Sequence, residues 1–266
     1  MIQFRKYGKA PYNVIVIHGG PGAPGEMAPV ARELSRNHGV LEPLQAESTL
    51  EGQLRELKSV LDENGNLPVS LIGYSWGALL GFIYTAQNQA SVKKLILVSS
   101  GVFEEQYAAN ITKTRFSRLE HWDRITLDSL LLTLDDPRGN NKNRIFQMAA
   151  EIIARADSCD PLPYKREVAE YQFDTYEKVW NDAQKLRRHG DLLSMGKHIQ
   201  CPVVAIHGDY DPHPADGVCQ PLSRVIKNFR FILLEHCGHC PWIERAAKDR
   251  FYRILAEELC YDTAQD

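Results

Sequence analysis

Residues 69–77 read Val69-Ser70-Leu71-Ile72-Gly73-Tyr74-Ser75-Trp76-Gly77. A short apolar run leads into a serine with a glycine two positions before it and another two positions after it. This is the pattern of a sharp strand-to-helix turn that lifts a serine hydroxyl clear of a sheet. The glycines matter because the turn leaves no room for a Cβ on either side, and the serine backbone is held in a strained conformation. Ser75 is therefore a candidate nucleophile. The plainer alternative is a helix N-cap, a position that serine favours.

Outward from this turn, apolar runs alternate with helical periodicity. Val14-Ile15-Val16-Ile17 and Leu95-Ile96-Leu97-Val98 are continuous apolar runs, as expected of strands buried on both faces of a parallel sheet. Pro202-Val203-Val204-Ala205-Ile206 and residues 229–234 repeat the signal toward the C-terminus, and a short strand around Ile2 to Arg5 precedes them all. Ser48 and Glu51 form an S-x-x-E capping box ahead of Leu54, Leu57 and Leu61, which predicts a helix there. Further helices are expected over residues 76–88, with Leu79, Phe82, Ile83 and Ala86 on one face, over 218–226, and from about Glu244 to Leu259. From residue 102 to 197 the sequence is polar and charged, with helical periodicity and no strand signal.

Strands alternating with helices mean βαβ units and a mostly parallel central sheet with helices on both faces. The expected organisation is an α/β core of residues 1–101 and 198–266 and a helical cap of residues 102–197 inserted over one edge of the sheet.

In such sheets ligands bind beyond the carboxyl ends of the strands. The first buried run is followed by His18-Gly19-Gly20-Pro21-Gly22, where glycines let backbone N–H groups approach a ligand closely. The others are followed by Ser75, by His207-Gly208-Asp209-Tyr210-Asp211, and by Glu235-His236-Cys237-Gly238-His239. Four strand ends thus deliver a glycine-rich turn, a serine, an acid (Asp209 or Asp211) and a histidine (His236 or His239). Acyl transfer needs these parts. A serine hydroxyl is a weak nucleophile until an imidazole takes its proton, and the imidazole needs a carboxylate to fix its tautomer. The oxyanion needs preorganised backbone donors. The N–H groups of Trp76, next after the serine, and of Gly20, in the first turn, are the candidates. His18 is expected to shape its loop without transferring protons.

With these motifs the chain resembles the α/β-hydrolase superfamily over nearly its whole length. His18-Gly19-Gly20-Pro21-Gly22 and Ser75-Trp76-Gly77 resemble the oxyanion turn and elbow of prolyl aminopeptidases. The resemblance implies an α/β-hydrolase fold. It places the acid three residues after the glycine ending its strand, at Asp211, and the base in a Gly-His pair, at His239. It implies a serine hydrolase that cleaves a carboxylic ester or amide of a small molecule through an acyl-enzyme. A prolyl aminopeptidase-like peptidase and a small-molecule receptor that retains the triad are the alternatives. A nucleophilic aspartate is excluded, because position 75 is serine.

Composition narrows the partners. The 266 residues carry a net charge of −3 with 44% hydrophobic residues, and the interspersed charges leave no footprint for nucleic acid or an anionic membrane. No stretch approaches a membrane span, and the N-terminus lacks the apolar region of a signal peptide. The six cysteines have no framework spacing, so thiols and a cytoplasmic location are expected. No cofactor or metal is expected. Cys237-Gly238-His239-Cys240 spells a C-x-x-C without a thioredoxin-like unit around it, and Pro212 turns the chain within the His207–His213 stretch, against a metal cluster there. Glu104, Glu105, Glu167, Glu170 and Asp174 are candidates for holding a substrate amine, or simply solvated helix faces.

Overall fold

The computed structural model describes residues 3–260. In chain order it runs β1 Gln3–Tyr7, β2 Tyr12–Ile17, α1 Ala28–Leu34, β3 Gly39–Leu44, α2 Leu50–Asn64, β4 Val69–Tyr74, α3 Trp76–Gln87 and β5 Val92–Val98. Then come α4 Ile111–Arg118, α5 His121–Asp135, α6 Lys142–Asp157, α7 Phe173–His189 and α8 Asp191–Met195, and finally β6 Val203–Gly208, α9 Asp216–Val225, β7 Phe229–Leu234 and α10 Lys248–Cys260.

The strands form one sheet in the order β1-β3-β2-β4-β5-β6-β7. Only β1 runs antiparallel, against β3; the other neighbours are parallel. Alternation along each strand sends residues to opposite faces. Ile15, Ile17, Leu71, Leu95, Leu97, Val203 and Ala205 pack on the side covered by α2, α3 and α9. Val14, Val16, Ile72, Ile96, Val98, Val204 and Ile206 pack under α1 and α10. This is the α/β-hydrolase fold, with both faces of the sheet covered. Because six strands share one direction, their carboxyl ends open on one side, and the four loops that carry the site residues meet there.

The elbow strand, its helix and the C-terminal strands stand where the apolar runs indicate. The first strand is β1; Ile2 lies outside the described residues. Other details differ from expectation. The cap of α2 is Thr49 rather than Ser48, its side chain accepting from the Gly52 N–H at 3.0 Å. A 3-10 turn, Pro241–Ile243, precedes the last helix, which starts at Lys248.

The strand β3 was not expected at all. Its sequence contains Glu42 and Pro43, both unfavourable in a strand. Both are accommodated locally. Buried Glu42 accepts from the Tyr7 hydroxyl at 2.7 Å and from Arg5 at 3.4 Å. Pro43 lies beyond the stretch of β3 that pairs with β2, opposite Phe4 of β1.

Between β5 and β6 the described residues hold helices and no strand. Leu119, Leu127, Leu134, Ala149, Ile152, Ala156 and Phe173 make a separate apolar cluster among α4 to α7. Val179, Ala183 and Leu192, from α7 and α8, instead join the cluster over α3, so α7 bridges the two.

Candidate active site

Ser75 sits between β4 and α3 with φ +51°, a left-handed conformation held by its N–H bonding Val98 O at 2.9 Å. The flanking glycines are required by contact. A Cβ on Gly73 would lie 2.2 Å from Gly77 O, and one on Gly77 would lie 2.4 Å from Ile17 O. The turn folds as it does because backbone stacks on backbone where any side chain would collide.

The Ser75 hydroxyl lies 2.9 Å from His239 Nε2, and His239 Nδ1 lies 2.7 Å from Asp211 Oδ2. The structure therefore brings Ser75, His239 and Asp211 into one hydrogen-bonded chain. Asp211 and the loop that carries His239 are themselves tied together: Tyr210 N–H bonds Cys237 O at 2.9 Å, and Asp211 is buried. The rival residues stand elsewhere. Asp209 accepts from the Cys237 N–H at 3.1 Å. His236 is exposed in a left-handed turn at φ +52°.

Burial alone would raise the Asp211 carboxyl, but His239, His207 and His213 around it outweigh burial and hold it well below the ordinary carboxylate range. Burial works against a charged His239, yet the adjoining Asp211 carboxylate raises it above its ordinary 6.5. The imidazole is thus a stronger base than a free histidine. His18 is fully buried with Nδ1 2.6 Å from Gly19 O, and burial pushes it down to about 4. A neutral, loop-shaping imidazole fits these facts.

The Trp76 N–H is the first of α3 and has no acceptor within its helix. Gly20 lines the same cavity as Ser75 and His239, at φ +37°. The cavity has a volume of about 450 Å3 and reaches from this corner between α5, α6 and α7. Leu131, Leu134, Phe146, Ala149, Ala150 and Ile153 supply much of its wall.

Several polar groups at the site escaped sequence reasoning. Arg115 bonds the Asp157 carboxylate through two nitrogens at 2.8 and 2.7 Å, and the Asp157 carbonyl accepts the His239 N–H at 2.8 Å. Glu244, fully buried, accepts from the N–H groups of Gly238 at 3.1 Å, Cys159 at 2.9 Å and Asp160 at 2.8 Å. Arg166 and Glu26 line the cavity 3.9 Å apart. No local motif announces these residues, because each acts on a partner distant in sequence.

The five acids weighed for a substrate amine lie outside that cavity. Glu104 pairs with Arg224, Glu105 with Arg187 and Glu167 with Arg32. Glu170 accepts from Gln172, and Asp174 borders a separate depression.

Cys159, Cys201, Cys219, Cys237 and Cys240 are free thiols. Burial raises Cys237 and Cys240 far above the ordinary thiol value, which removes the thiolate that redox chemistry needs. Asp211, His213 and His239 bring potential ligand atoms within 4.8 Å of one another. The two Nδ1 atoms, however, face Asp211 oxygens at 2.9 and 2.7 Å. A cation would have to displace both N–H donors.

The chain belongs to the α/β-hydrolase fold family, a family of enzymes, whose model matches residues 12–246. It is similar to a proline iminopeptidase from Lactobacillus delbrueckii subsp. lactis, 22% identical over 92% of this chain and 89% of the relative. It is also similar to a pimeloyl-[acyl-carrier protein] methyl ester esterase from Chromobacterium violaceum, 23% identical over 73% of this chain and 70% of the relative. The solved proline iminopeptidase of Mycobacterium smegmatis shares the fold with a TM-score of 0.64, at 19% identity over 99% of this chain and 96% of that one.

Proposed function

We propose that the protein is a serine hydrolase that cleaves a carboxylic ester of a small molecule through an acyl-enzyme. Ser75 Oγ attacks the carbonyl carbon while His239 Nε2 takes the hydroxyl proton. The oxyanion is held by the N–H groups of Trp76 and Gly20. His239 then gives its proton to the leaving oxygen as the carbonyl re-forms. Water next attacks the acyl-Ser75 carbonyl while His239 takes one of its protons, and His239 returns that proton to Ser75 Oγ as the Oγ–acyl bond breaks and the acid leaves. Asp211 orients His239 and stabilises its charged form. Residues 102–197 act as a cap that shapes the cavity and excludes water. The observation that carries this reading is the continuous hydrogen-bonded chain from Ser75 Oγ through His239 to Asp211.

An ester, rather than a peptide with a free amine, fits the inner cavity. Asp157 is neutralised there by Arg115, and Glu26 faces Arg166, so neither carboxylate is left free for an amine, and Leu131, Leu134, Phe146, Ala149 and Ile153 offer apolar wall for an acyl group. The peptidase alternative draws support from the relatives named as iminopeptidases and from Asp135 and Glu177, exposed carboxylates on the cavity lining.

The test is fluorophosphonate labelling with turnover of p-nitrophenyl butyrate and of proline-β-naphthylamide. The unsubstituted protein should label and hydrolyse the ester, and Ser75→Ala should do neither. Equal labelling of the two sinks the nucleophile. Turnover of the amide alone establishes the peptidase reading. Labelling without turnover of either substrate favours a receptor.

A further inference from the structure

Asp211 serves two side-chain imidazoles, and the nucleophile–base–acid reading uses only one of them. Asp211-Pro212-His213-Pro214 places the second imidazole between two prolines. Neither proline has an N–H, so the His213 N–H is the one backbone donor of positions 212–214. It bonds Asp211 Oδ1 at 2.9 Å, and His213 Nδ1 lies at the same distance from the same oxygen. His239 Nδ1 occupies Oδ2, and His207 Nε2 stands off at 3.5 Å while bonding His213 O at 2.8 Å. The His213 and His239 rings lie 4.8 Å apart, tilted by 31°.

We propose that His213 is a positioning residue that sets the basicity of His239 by sharing the Asp211 carboxylate. This rests on the triad reading given above. A carboxylate that accepts from two side-chain donors offers less unshared charge to each of them. Removing the His213 donor concentrates that charge on His239, stabilises the imidazolium, and makes the free base available only at higher pH. The neutral form of His213 suits the role: burial, opposed by Asp211, keeps it down at about 4. His213 faces Asp211, the His239 ring and the charge of Arg115. His239 faces Asp211, Ser75, the Tyr74 ring, Arg115 and Asp157. A change at position 213 thus reaches His239 mainly through Asp211.

The experiment compares pH profiles of kcat/KM for p-nitrophenyl butyrate in the unsubstituted protein, His213→Leu and His213→Asn. Leucine fills the site without a donor, whereas the asparagine Nδ2 can stand where Nδ1 stood. The acid limb should move up by about one unit in His213→Leu and return to its original place in His213→Asn, with KM changed less than about twofold in both. A limb that stays in place, or moves down, in His213→Leu overturns the proposal, as does failure of His213→Asn to restore it. Should His213→Leu not fold, nitrogen-15 NMR of the unsubstituted protein decides. A His213 tautomer protonated at Nδ1 and bare at Nε2 at neutral pH is expected, and the opposite tautomer overturns the proposal. Ser75→Ala separates the two levels: full turnover in that variant removes the triad reading, whereas an inactive Ser75→Ala with an unmoved His213→Leu profile removes only the role of His213.

Discussion

Asp211 is a carboxylate among imidazoles, and in the proposed reaction the chemistry at position 75 depends on which atom faces His239 Nδ1. As a carboxylate it can only accept, which fixes the proton on Nδ1 and leaves Nε2 bare toward the Ser75 hydroxyl. In Asp211→Asn an amide nitrogen can turn toward Nδ1 and reverse the tautomer, pointing an N–H at the serine. The loss in kcat should be about 10⁴-fold with KM little changed. The residual activity should show its acid limb at lower pH, because the charge that raises His239 is gone. Steady-state profiles check both, and a loss under about tenfold contradicts the assigned role. At this scale the sequence was legible where a residue is marked by glycines beside it, as Ser75 and His239 are. Asp211 and Asp209 required the spacing of relatives to separate them. His213 gave no local sign of its contact with Asp211, since nothing in its sequence neighbourhood says where its ring points.

At the scale of elements, the loop that carries His239 is held by the end of α6 and by one buried carboxylate. Glu244 accepts N–H groups from Gly238, next to His239, and from Cys159 and Asp160, just after α6. Each buried N–H left unmet costs about 1–3 kcal/mol, so Glu244→Ala should lower the thermal midpoint and, by freeing residue 238, reduce kcat. Glu244→Gln retains one acceptor oxygen and should fall between. Calorimetry and turnover on the same samples check this. A Glu244→Ala protein with unchanged kcat would show that the loop is held without it. The pattern of what was readable follows the same physics. Strands buried on both faces announce themselves as continuous apolar runs. The strand β3 hides because Glu42 Oε2 is held by Tyr7 and Arg5 on the neighbouring strand, a compensation invisible within residues 39–44. The start of α2 shifted by one residue for a similar reason: Thr49 and Ser48 are both competent caps, and geometry selects the threonine.

For the whole molecule, the mostly parallel sheet and its strand-end turns were legible because a parallel sheet forces its carboxyl ends to one side. The cavity was not, because its wall is assembled from α5, α6 and α7, whose apolar faces could have packed in several ways. No helix among the described residues is long and apolar enough to cross a membrane. Two histidines kept neutral by burial give the whole fold a pH dependence. His18 and His213 each stand at about 4 in the folded protein, against 6.5 when exposed. Above pH 6.5 both are neutral in either state and contribute nothing to the dependence. Between 6.5 and about 4 the unfolded chain binds protons that the folded one refuses, so stability falls as pH falls, by roughly 2.7 kcal/mol per unit for the pair. His239 acts in the other window. Raised in the folded state, it adds stability that is complete below 6.5 and lost as pH rises through its folded value. Asp211, lowered in the folded state, adds stability that is lost only as pH falls below 3.8. From pH 6 to 4.5 the two neutral histidines should therefore dominate the slope of stability against pH measured by urea unfolding. His213→Asn should remove about half of that slope. An unchanged slope in that variant would mean that position 213 is already protonated in the folded protein, and that Asp211 holds an ion pair there instead of a neutral donor.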